Sequence, residues 1–186
     1  IKVKLAAKRE IILAAPGNYG LDFLEEKWQI QKEEAVKCSN YVGETIDMAV
    51  SLGVKGILFV AHIGKFIKVA AGIMNTHSHS ADGRMEVLAA SAVRAGAGLE
   101  LVREILECGT TDEALALLEQ GGYLHRTMAV VLEKIQFYLD HRSYEQITLG
   151  AVIFSNVHGY LGQTRDAGYL IEKIRGTKGE CCSQHQ

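Results

Sequence analysis

One stretch of the chain, residues 56–90, concentrates side chains that could do chemistry. The apolar run at residues 57–61 is typical of a buried strand, and His62, Gly64, Lys65 and Lys68 follow it directly. Further polar side chains come next along the chain: Asn75, Thr76, His77, Ser78, His79, Ser80, Asp82 and Arg84. Since open parallel sheets bind ligands beyond the carboxyl ends of their strands, this pattern predicts a ligand site.

The candidates within this stretch divide by chemistry. His62 is the candidate catalytic residue, because a histidine titrates near neutral pH and can transfer a proton; a hydrogen-bonded structural histidine is the alternative. Lys65 and Lys68 fall in the first turns of a predicted helix, where the helix dipole disfavours cations. A carboxylate or phosphate ligand would compensate their charge, and solvation at the surface is the alternative. The candidate substrate-binding residues are Gly64, Lys65, Lys68, Asn75, His77, Ser78, Asp82 and Arg84.

A metal site is a further hypothesis for the same stretch. His77, His79 and Asp82 could ligate zinc, but zinc would need another ligand at recognisable spacing, and no cysteine pair provides one. Asp82 is also suited to cap the helix predicted to begin at Arg84. We therefore expect no protein-bound metal, and a metal-dependent hydrolase is the third hypothesis. A nucleophilic hydrolase is disfavoured because the sequence has no G-x-S-x-G motif.

Three other predicted strand ends are polar and contain glycine. They are residues 16–20 (PGNYG), 38–44 (CSNYVGE) and 155–159 (SNVHG). A single glycine turn after a strand is unremarkable, but four such ends together favour a shared binding edge. Glycine lets the backbone approach a nucleotide-like ligand closely, although residues 16–20 are not a G-x-G-x-x-G motif and a plain strand-to-helix turn is the alternative. The candidate cofactor-binding residues are Gly17, Asn18, Gly20, Ser39, Asn40 and Gly43.

The elements that must position these residues follow from hydrophobic periodicity. Strands are predicted at residues 11–15, 35–38, 56–61 and 147–154, and helices at 21–29, 40–52 and 164–175. Residues 155–162 are predicted to be a loop. Strands alternating with helices predict an α/β protein with a mostly parallel, Rossmann-like sheet.

Between residues 84 and 140 the pattern is helical only. Helices are predicted at 84–95, 99–107, 111–120 and 123–140, and Thr110 with Glu113 has the spacing of a capping box. We expect one ligand-binding domain over residues 1–176, with this helical insertion as a lobe. The polar tail at 177–186 is expected to be disordered.

Composition limits the class of protein. With 20 basic and 22 acidic side chains the net charge is −2, which favours neither a nucleic-acid nor a membrane partner. The four cysteines lack C-x-x-C spacing, which favours a reducing cytoplasm. The first residue is Ile1 and an amphipathic helix end precedes the first strand, so we expect a fragment of a larger two-part protein. The sequence leaves a homo-oligomer open.

Long motifs in the chain resemble a known family. GNYG at residues 17–20, KCSNYVGETIDMAV at 37–50 and AHIGKFIKVAAGIMNTHSHSADGRMEVLAA at 61–90 are similar to the cobalt-precorrin-5B C1-methyltransferases of anaerobic cobalamin biosynthesis. The resemblance runs through most of residues 1–175. It implies transfer of a methyl group from S-adenosylmethionine to C-1 of a cobalt-containing tetrapyrrole, giving cobalt-precorrin-6A. Family members have another segment before the part present here.

The residues are compatible with what the resemblance implies. The ring carries many acetate and propionate groups, and Lys65, Lys68, His77, His79 and Arg84 offer local positive charge. The glycine turns suit adenosine, and Glu44 or Asp47 could face the sulfonium of the methyl donor. In-line methyl transfer depends mostly on alignment of the two reactants. The alternative hypothesis is a non-catalytic nucleotide- or tetrapyrrole-binding module that uses the same edge.

Overall fold

A single five-stranded sheet organises the described part of the chain. The computed structural model describes residues 1–6, 10–17, 20, 23 and 32–176. The strands are β1 (Ile11–Ala15), β2 (Ala35–Lys37), β3 (Gly56–His62), β4 (Thr148–Ser155) and β5 (Gly159–Gln163). Their order across the sheet is β2-β1-β3-β4-β5. Strands β1 to β4 pair in parallel and β5 is antiparallel to β4, so the predicted α/β class is confirmed with a mixed sheet.

The helices within the described residues lie close to their predicted positions. They are α1 (Lys2–Ala6), α2 (Val42–Ser51), α3 (Ile63–Phe66), α4 (Arg84–Arg94), α5 (Leu99–Glu107), α6 (Thr111–Gln120), α7 (Leu124–Ser143) and α8 (Ala167–Gly176). Short 3-10 helices span Lys32–Glu34 and Ile67–Ala71. Among these residues, no helix has both the length and the apolar composition that spanning a bilayer requires.

Apolar side chains cover both faces of the sheet, because successive strand residues point to opposite sides. On one face, Ile12, Ile57 and Phe59 lie in a large cluster that also takes in the buried sides of α2 and α4 to α7. On the other face, Leu58 and Val60 pack with the buried side of α8. Two covered faces explain why the strands are nearly continuous apolar runs, as parallel strands usually are.

The helical segment between β3 and β4 is packed onto the sheet. Helix α7 contacts the 3-10 helix Ile67–Ala71, α4 and β4, and α6 contacts α3. Helix α6 begins with the predicted capping box: Thr110 accepts a hydrogen bond from the Glu113 backbone N–H, and the Glu113 carboxylate accepts one from the Thr110 N–H. This packing brings the first turn of α6 to the ends of β3 and β4.

Two local predictions were wrong. The segment predicted as a loop at 155–162 overlaps β5, a short edge strand. Its glycines and polar residues give no recognisable strand pattern in the sequence. The residue at the N-cap of α4 is Gly83 with φ +79, one position after Asp82, and the Asp82 carboxylate pairs with the Arg84 guanidinium. The predictions for the helix at 21–29, for Asn18 and for the tail at 177–186 fall outside the described residues.

Candidate functional site

The carboxyl ends of β1, β3 and β4 meet at one edge of the sheet. The register pairs His62 with Phe154, so Ser155 lies one residue beyond the end of β3. The side chain of Lys65, in the turn after β3, reaches the end of β1: its Nζ donates a hydrogen bond to the Pro16 carbonyl oxygen at 2.9 Å. The direction in which successive strands are added to the sheet reverses between β1 and β3, because β2 lies on one side of β1 and β3 on the other. Ligands of open α/β sheets bind at such a switch point.

The two glycines that follow β1 have different surroundings. A Cβ built on Gly20 would lie 2.4 Å from the Val60 carbonyl oxygen, so the backbone at Gly20 approaches β3 too closely for any other residue. Among the described residues, a Cβ built on Gly17 would meet only the Lys65 Nζ, at 4.0 Å. In dinucleotide-binding turns one glycine faces the ligand and another, three residues later, allows close packing of helix on strand. The spacing and surroundings of Gly17 and Gly20 match those two roles.

The turn after β2 is joined to the segment after the 3-10 helix Ile67–Ala71. Gly43 N–H donates to the Met74 carbonyl at 3.2 Å, and Thr76 N–H donates to the Asn40 carbonyl at 2.9 Å. A Cβ on Gly43 would lie 2.9 Å from the Met74 Cβ, so the absence of a side chain permits this contact. The turn that contains Asn40 and Gly43 and the segment that contains Asn75 therefore lie against each other.

Other predicted residues lie beside this contact. Tyr41 forms a β-bridge with Asn75, whose Oδ1 accepts a hydrogen bond from His77 N–H at 3.1 Å. Ser39 is exposed and has φ +53, a left-handed backbone conformation that residues other than glycine seldom adopt. Strain of this kind concentrates at ligand sites, which is compatible with the predicted role of Ser39.

His62 caps α3 and faces backbone N–H groups on both sides of its ring. Gly64 N–H donates to Nδ1 at 3.1 Å, and Asn156 N lies 3.4 Å from Nε2. The ring also meets Phe154 edge-on at 5.6 Å between centroids. A neutral imidazole has one in-plane lone pair, so it can satisfy only one of these N–H groups at a time. Burial lowers the pKa of His62, and the nearby charge of Asp112 opposes that shift.

Lys68 is directed into the protein. Its side chain is 3% exposed, and its Nζ donates to the carbonyl oxygens of Thr76 at 3.2 Å and Ala81 at 2.8 Å. Burial lowers the pKa of Lys68, while the charge of Asp82 partly offsets the effect. The ammonium thus links both ends of the segment 76–81. This placement differs from the predicted direct contact with substrate and favours a positioning role.

The segment held by Lys68 exposes the predicted histidine and serine residues. His77, Ser78 and His79 are exposed, and His79 N–H donates to His77 Nδ1 at 3.1 Å. No group of three or more histidine, cysteine, aspartate or glutamate side chains suited to a metal ion occurs among the described residues. Asp82 is bound by Arg84 through two hydrogen bonds, of 2.7 and 3.1 Å. That pairing lowers the pKa of Asp82 and occupies part of the Arg84 guanidinium.

The sequence analysis named residues 155–159 as a polar strand end but missed the cluster that they form with α6. The Ser155 hydroxyl donates to Asp112 Oδ1 at 2.7 Å and accepts hydrogen bonds from the N–H groups of Val157 and His158. His158 Nδ1 lies 3.2 Å from a Glu119 carboxylate oxygen, and its Nε2 lies 3.3 Å from the Asp112 carbonyl oxygen. Asp112 was counted in the helical lobe, and no local signal shows that the lobe returns to the strand ends.

Cavities among the described residues include one of about 340 Å³ at the β4–β5 turn, lined in part by Glu119, Val157 and His158. Another of about 680 Å³ lies between α7 and the segment after β5, and its lining includes Gln136, Asp140 and Arg165. It contains none of the predicted site residues. The strand-end surface remains the better candidate because glycine turns, a partly buried lysine and a histidine converge there.

The fold is that of a mixed α/β protein, with a candidate ligand-binding edge at the switch point of its sheet. Residues 75–165 match the family described as CbiD, C-terminal domain. The chain is 42% identical over 158 residues to the cobalt-precorrin-5B C(1)-methyltransferase of Ruminiclostridium cellulolyticum, covering 85% of this chain and 41% of that protein. It is 41% identical over 177 residues to the protein of the same name from Alkaliphilus metalliredigens, covering 94% of this chain and 47% of that protein.

These similarities confirm the resemblance seen in the sequence. Over most of its length the chain is similar to the cobalt-precorrin-5B C(1)-methyltransferases, and residues 75–165 match the C-terminal domain model. It spans about half the length of the curated relatives it matches. No solved structure matches the chain.

Proposed function

We propose that the chain forms part of an S-adenosylmethionine-dependent methyltransferase that methylates C-1 of cobalt-precorrin-5B to give cobalt-precorrin-6A. The names of its relatives support this reaction. The structural observation that carries the proposal is the switch point between β1 and β3, where Lys65 Nζ reaches the Pro16 carbonyl beside the open side of Gly17. We further propose that the parallel strands form a Rossmann-like unit, since the crossover between β1 and β3 is the feature on which such sites depend.

The turn after β1 fits a methyl donor. Gly17 leaves space for a ligand to approach the backbone, and the Lys65 ammonium beside it suits the carboxylate of the donor's amino-acid group. Ser39 and Asn40 lie on the neighbouring turn and would contact the remainder of the donor, whereas Gly43 is buried against Met74. S-adenosylmethionine, when bound, supplies an electrophilic methyl group on a sulfonium.

The anionic ring substrate is assigned to the exposed segment beside that turn. His77, Ser78 and Asn75 present polar groups on it, while Lys68 and the Asp82–Arg84 pair fix its two ends. Gly64 and Lys65 border the same crevice from the β3 side. Because the turn that contains Asn40 and the segment that contains Asn75 lie against each other, the protein can align the two reactants, which supplies much of the catalysis in a displacement reaction.

His62 is the proposed proton acceptor. Its lowered pKa keeps the ring neutral near pH 7, as a base requires. Proton uptake at Nε2 requires the tautomer that carries its ring proton on Nδ1, so the Gly64 N–H contact at Nδ1 is given up, and the uptake then displaces the 3.4 Å contact with Asn156 N. Replacement of His62 by Gln should therefore reduce the rate of methyl transfer more than it reduces substrate affinity.

The second candidate function is a non-catalytic nucleotide- or tetrapyrrole-binding module. The exposure of His77, Ser78 and His79 on one segment is compatible with ligand binding alone. The protein is incubated with S-adenosylmethionine and cobalt-precorrin-5B, and the tetrapyrrole is then analysed by mass spectrometry. The result separates the methyltransferase from the binding module. We expect a gain of one methyl group. A tetrapyrrole that stays bound without gaining mass would favour the binding module.

The remaining expectations belong to the same proposal. We expect the methyl donor to act without a protein-bound metal, the cobalt being carried by the substrate. A cytoplasmic location is supported by the cysteine pattern of the sequence. Elemental analysis of the purified protein, before substrate is added, should show no stoichiometric zinc. Stoichiometric zinc lost in a His77→Ala variant would instead support the metal-dependent hydrolase.

A further inference from the structure

The β4–β5 turn approaches the Nε2 side of the His62 ring, and the first turn of α6 is hydrogen-bonded to that turn. Asn156, in the β4–β5 turn, places its N–H 3.4 Å from His62 Nε2. The preceding residue, Ser155, fixes the turn by accepting hydrogen bonds from Val157 N–H at 3.0 Å and His158 N–H at 3.1 Å. The position of Asn156 against His62 thus depends on Ser155.

Ser155 is in turn held by Asp112. The Ser155 hydroxyl donates to Asp112 Oδ1 at 2.7 Å, and because both lone pairs of Ser155 Oγ receive backbone N–H groups, the hydroxyl proton is directed to the carboxylate. A short bond to a carboxylate is among the stronger hydrogen bonds in proteins. Thr110 and Glu113 fix the helix end that carries Asp112.

The charge of Asp112 also acts on the His62 ring. Around that ring, α3 contributes Lys65, whose Nζ is directed at the Pro16 carbonyl, and β4 contributes the uncharged ring of Phe154. His158, in the β4–β5 turn, is directed at Glu119 and at the Asp112 carbonyl. Asp112 is the described charge that raises the pKa of His62 against the effect of burial.

We propose that Asp112 is a positioning residue for His62: it fixes the β4–β5 turn through Ser155 and stabilises the imidazolium that forms when His62 accepts a proton. The proton moves from the substrate to the lone pair on His62 Nε2, in the tautomer whose Nδ1 carries the other ring proton. The role resembles that of the aspartate in a serine-protease triad, although here the contact runs through a hydroxyl and a turn. The inference rests on the proposed role of His62 as proton acceptor.

Two variants separate the charge from the hydrogen bond. Asp112→Asn keeps an oxygen that can accept from Ser155 but removes the charge, whereas Ser155→Ala keeps the charge and removes the link. Glu107→Gln, an exposed acid on α5, controls for the loss of one negative charge. The pH titration of the His62 ring protons by NMR is the measurement, assigned by comparison with His62→Gln.

We expect the His62 titration to move to lower pH in Asp112→Asn, to return toward the wild-type position in Asp112→Glu, and to stay unchanged in Glu107→Gln. Ser155→Ala should shift the amide signals of Asn156 and Val157 while moving the His62 titration less than Asp112→Asn does. An unmoved titration in a folded Asp112→Asn protein would overturn the inference. Undiminished methyl transfer by His62→Gln would overturn the proposed role of His62 instead, so the two failures are distinguishable.

Discussion

Lys65 and Pro16 are joined by a hydrogen bond of 2.9 Å from the lysine Nζ to the proline carbonyl oxygen, across the point where the strand order of the sheet reverses. The two residues are far apart in sequence, and the bond brings the turn after β1 against the turn after β3. A ligand anion that enters this crevice would meet an ammonium already held in place. Most of the predictions below concern the residues that build or border this crevice.

Replacement of Gly20 by alanine should destabilise the fold. The new Cβ would lie 2.4 Å from the Val60 carbonyl oxygen, and backbone atoms of a central strand cannot move away cheaply. Overpacking of this kind costs roughly 1–3 kcal/mol of unfolding free energy. Gly109→Ala is the matched control, because its Cβ would stand 3.6 Å from the nearest atom, an ordinary contact. Urea unfolding of both variants checks the prediction, and equal losses would show that Gly20 is not confined by β3.

Replacement of Lys68 by methionine should loosen the segment 76–81 more than it changes global stability. The carbonyl oxygens of Thr76 and Ala81 lose their shared donor, but Ala81 is partly exposed and its carbonyl can regain water. We expect a loss of about 1–2 kcal/mol in unfolding free energy, with faster amide exchange at Ser80 and Ala81. The exposed Lys55→Met is the control. Unchanged exchange at Ser80 and Ala81 would rule out a positioning role for Lys68.

The sequence predicted most elements because their local signals agree with their packing. Strand β1, helix α5 and helix α6 lie at the predicted positions, and the Thr110–Glu113 capping box is present. Lys68 shows the limit of local patterns, since a cation near a helix start indicates a ligand only if it faces outward. The link between Asp112 and Ser155 joins residues 43 positions apart, so only the packed lobe reveals it.

The Cys38 thiol should resist alkylation in the native protein. It is 7% exposed, and burial raises the pKa of the Cys38 thiol to about 11, so little reactive thiolate forms near pH 8. Treatment with iodoacetamide at pH 8 followed by peptide mass mapping should leave Cys38 unmodified until denaturant is added. Rapid labelling of Cys38 under native conditions would contradict the buried position at the end of β2.

His62 should make folding stability depend on pH. Because burial lowers its pKa below the ordinary value, the unfolded chain binds more protons than the native protein does below about pH 6.5. Stability is therefore lost as the pH falls through that range and on through the lowered pKa. The unfolding free energy of wild type should fall more steeply between pH 7 and pH 5 than that of His62→Gln. Parallel curves would show that the ring is not preferentially neutral in the native state.

A crystal structure with S-adenosylhomocysteine bound tests the central claim most directly, because the account depends on where the methyl donor binds. We predict that the ligand lies between the turn at Pro16 and Gly17 and the turn at His62 to Lys65, with its carboxylate at the Lys65 ammonium. Binding instead in the cavity lined by Gln136 and Arg165, or any pose that leaves the β1–β3 crevice empty, would contradict it.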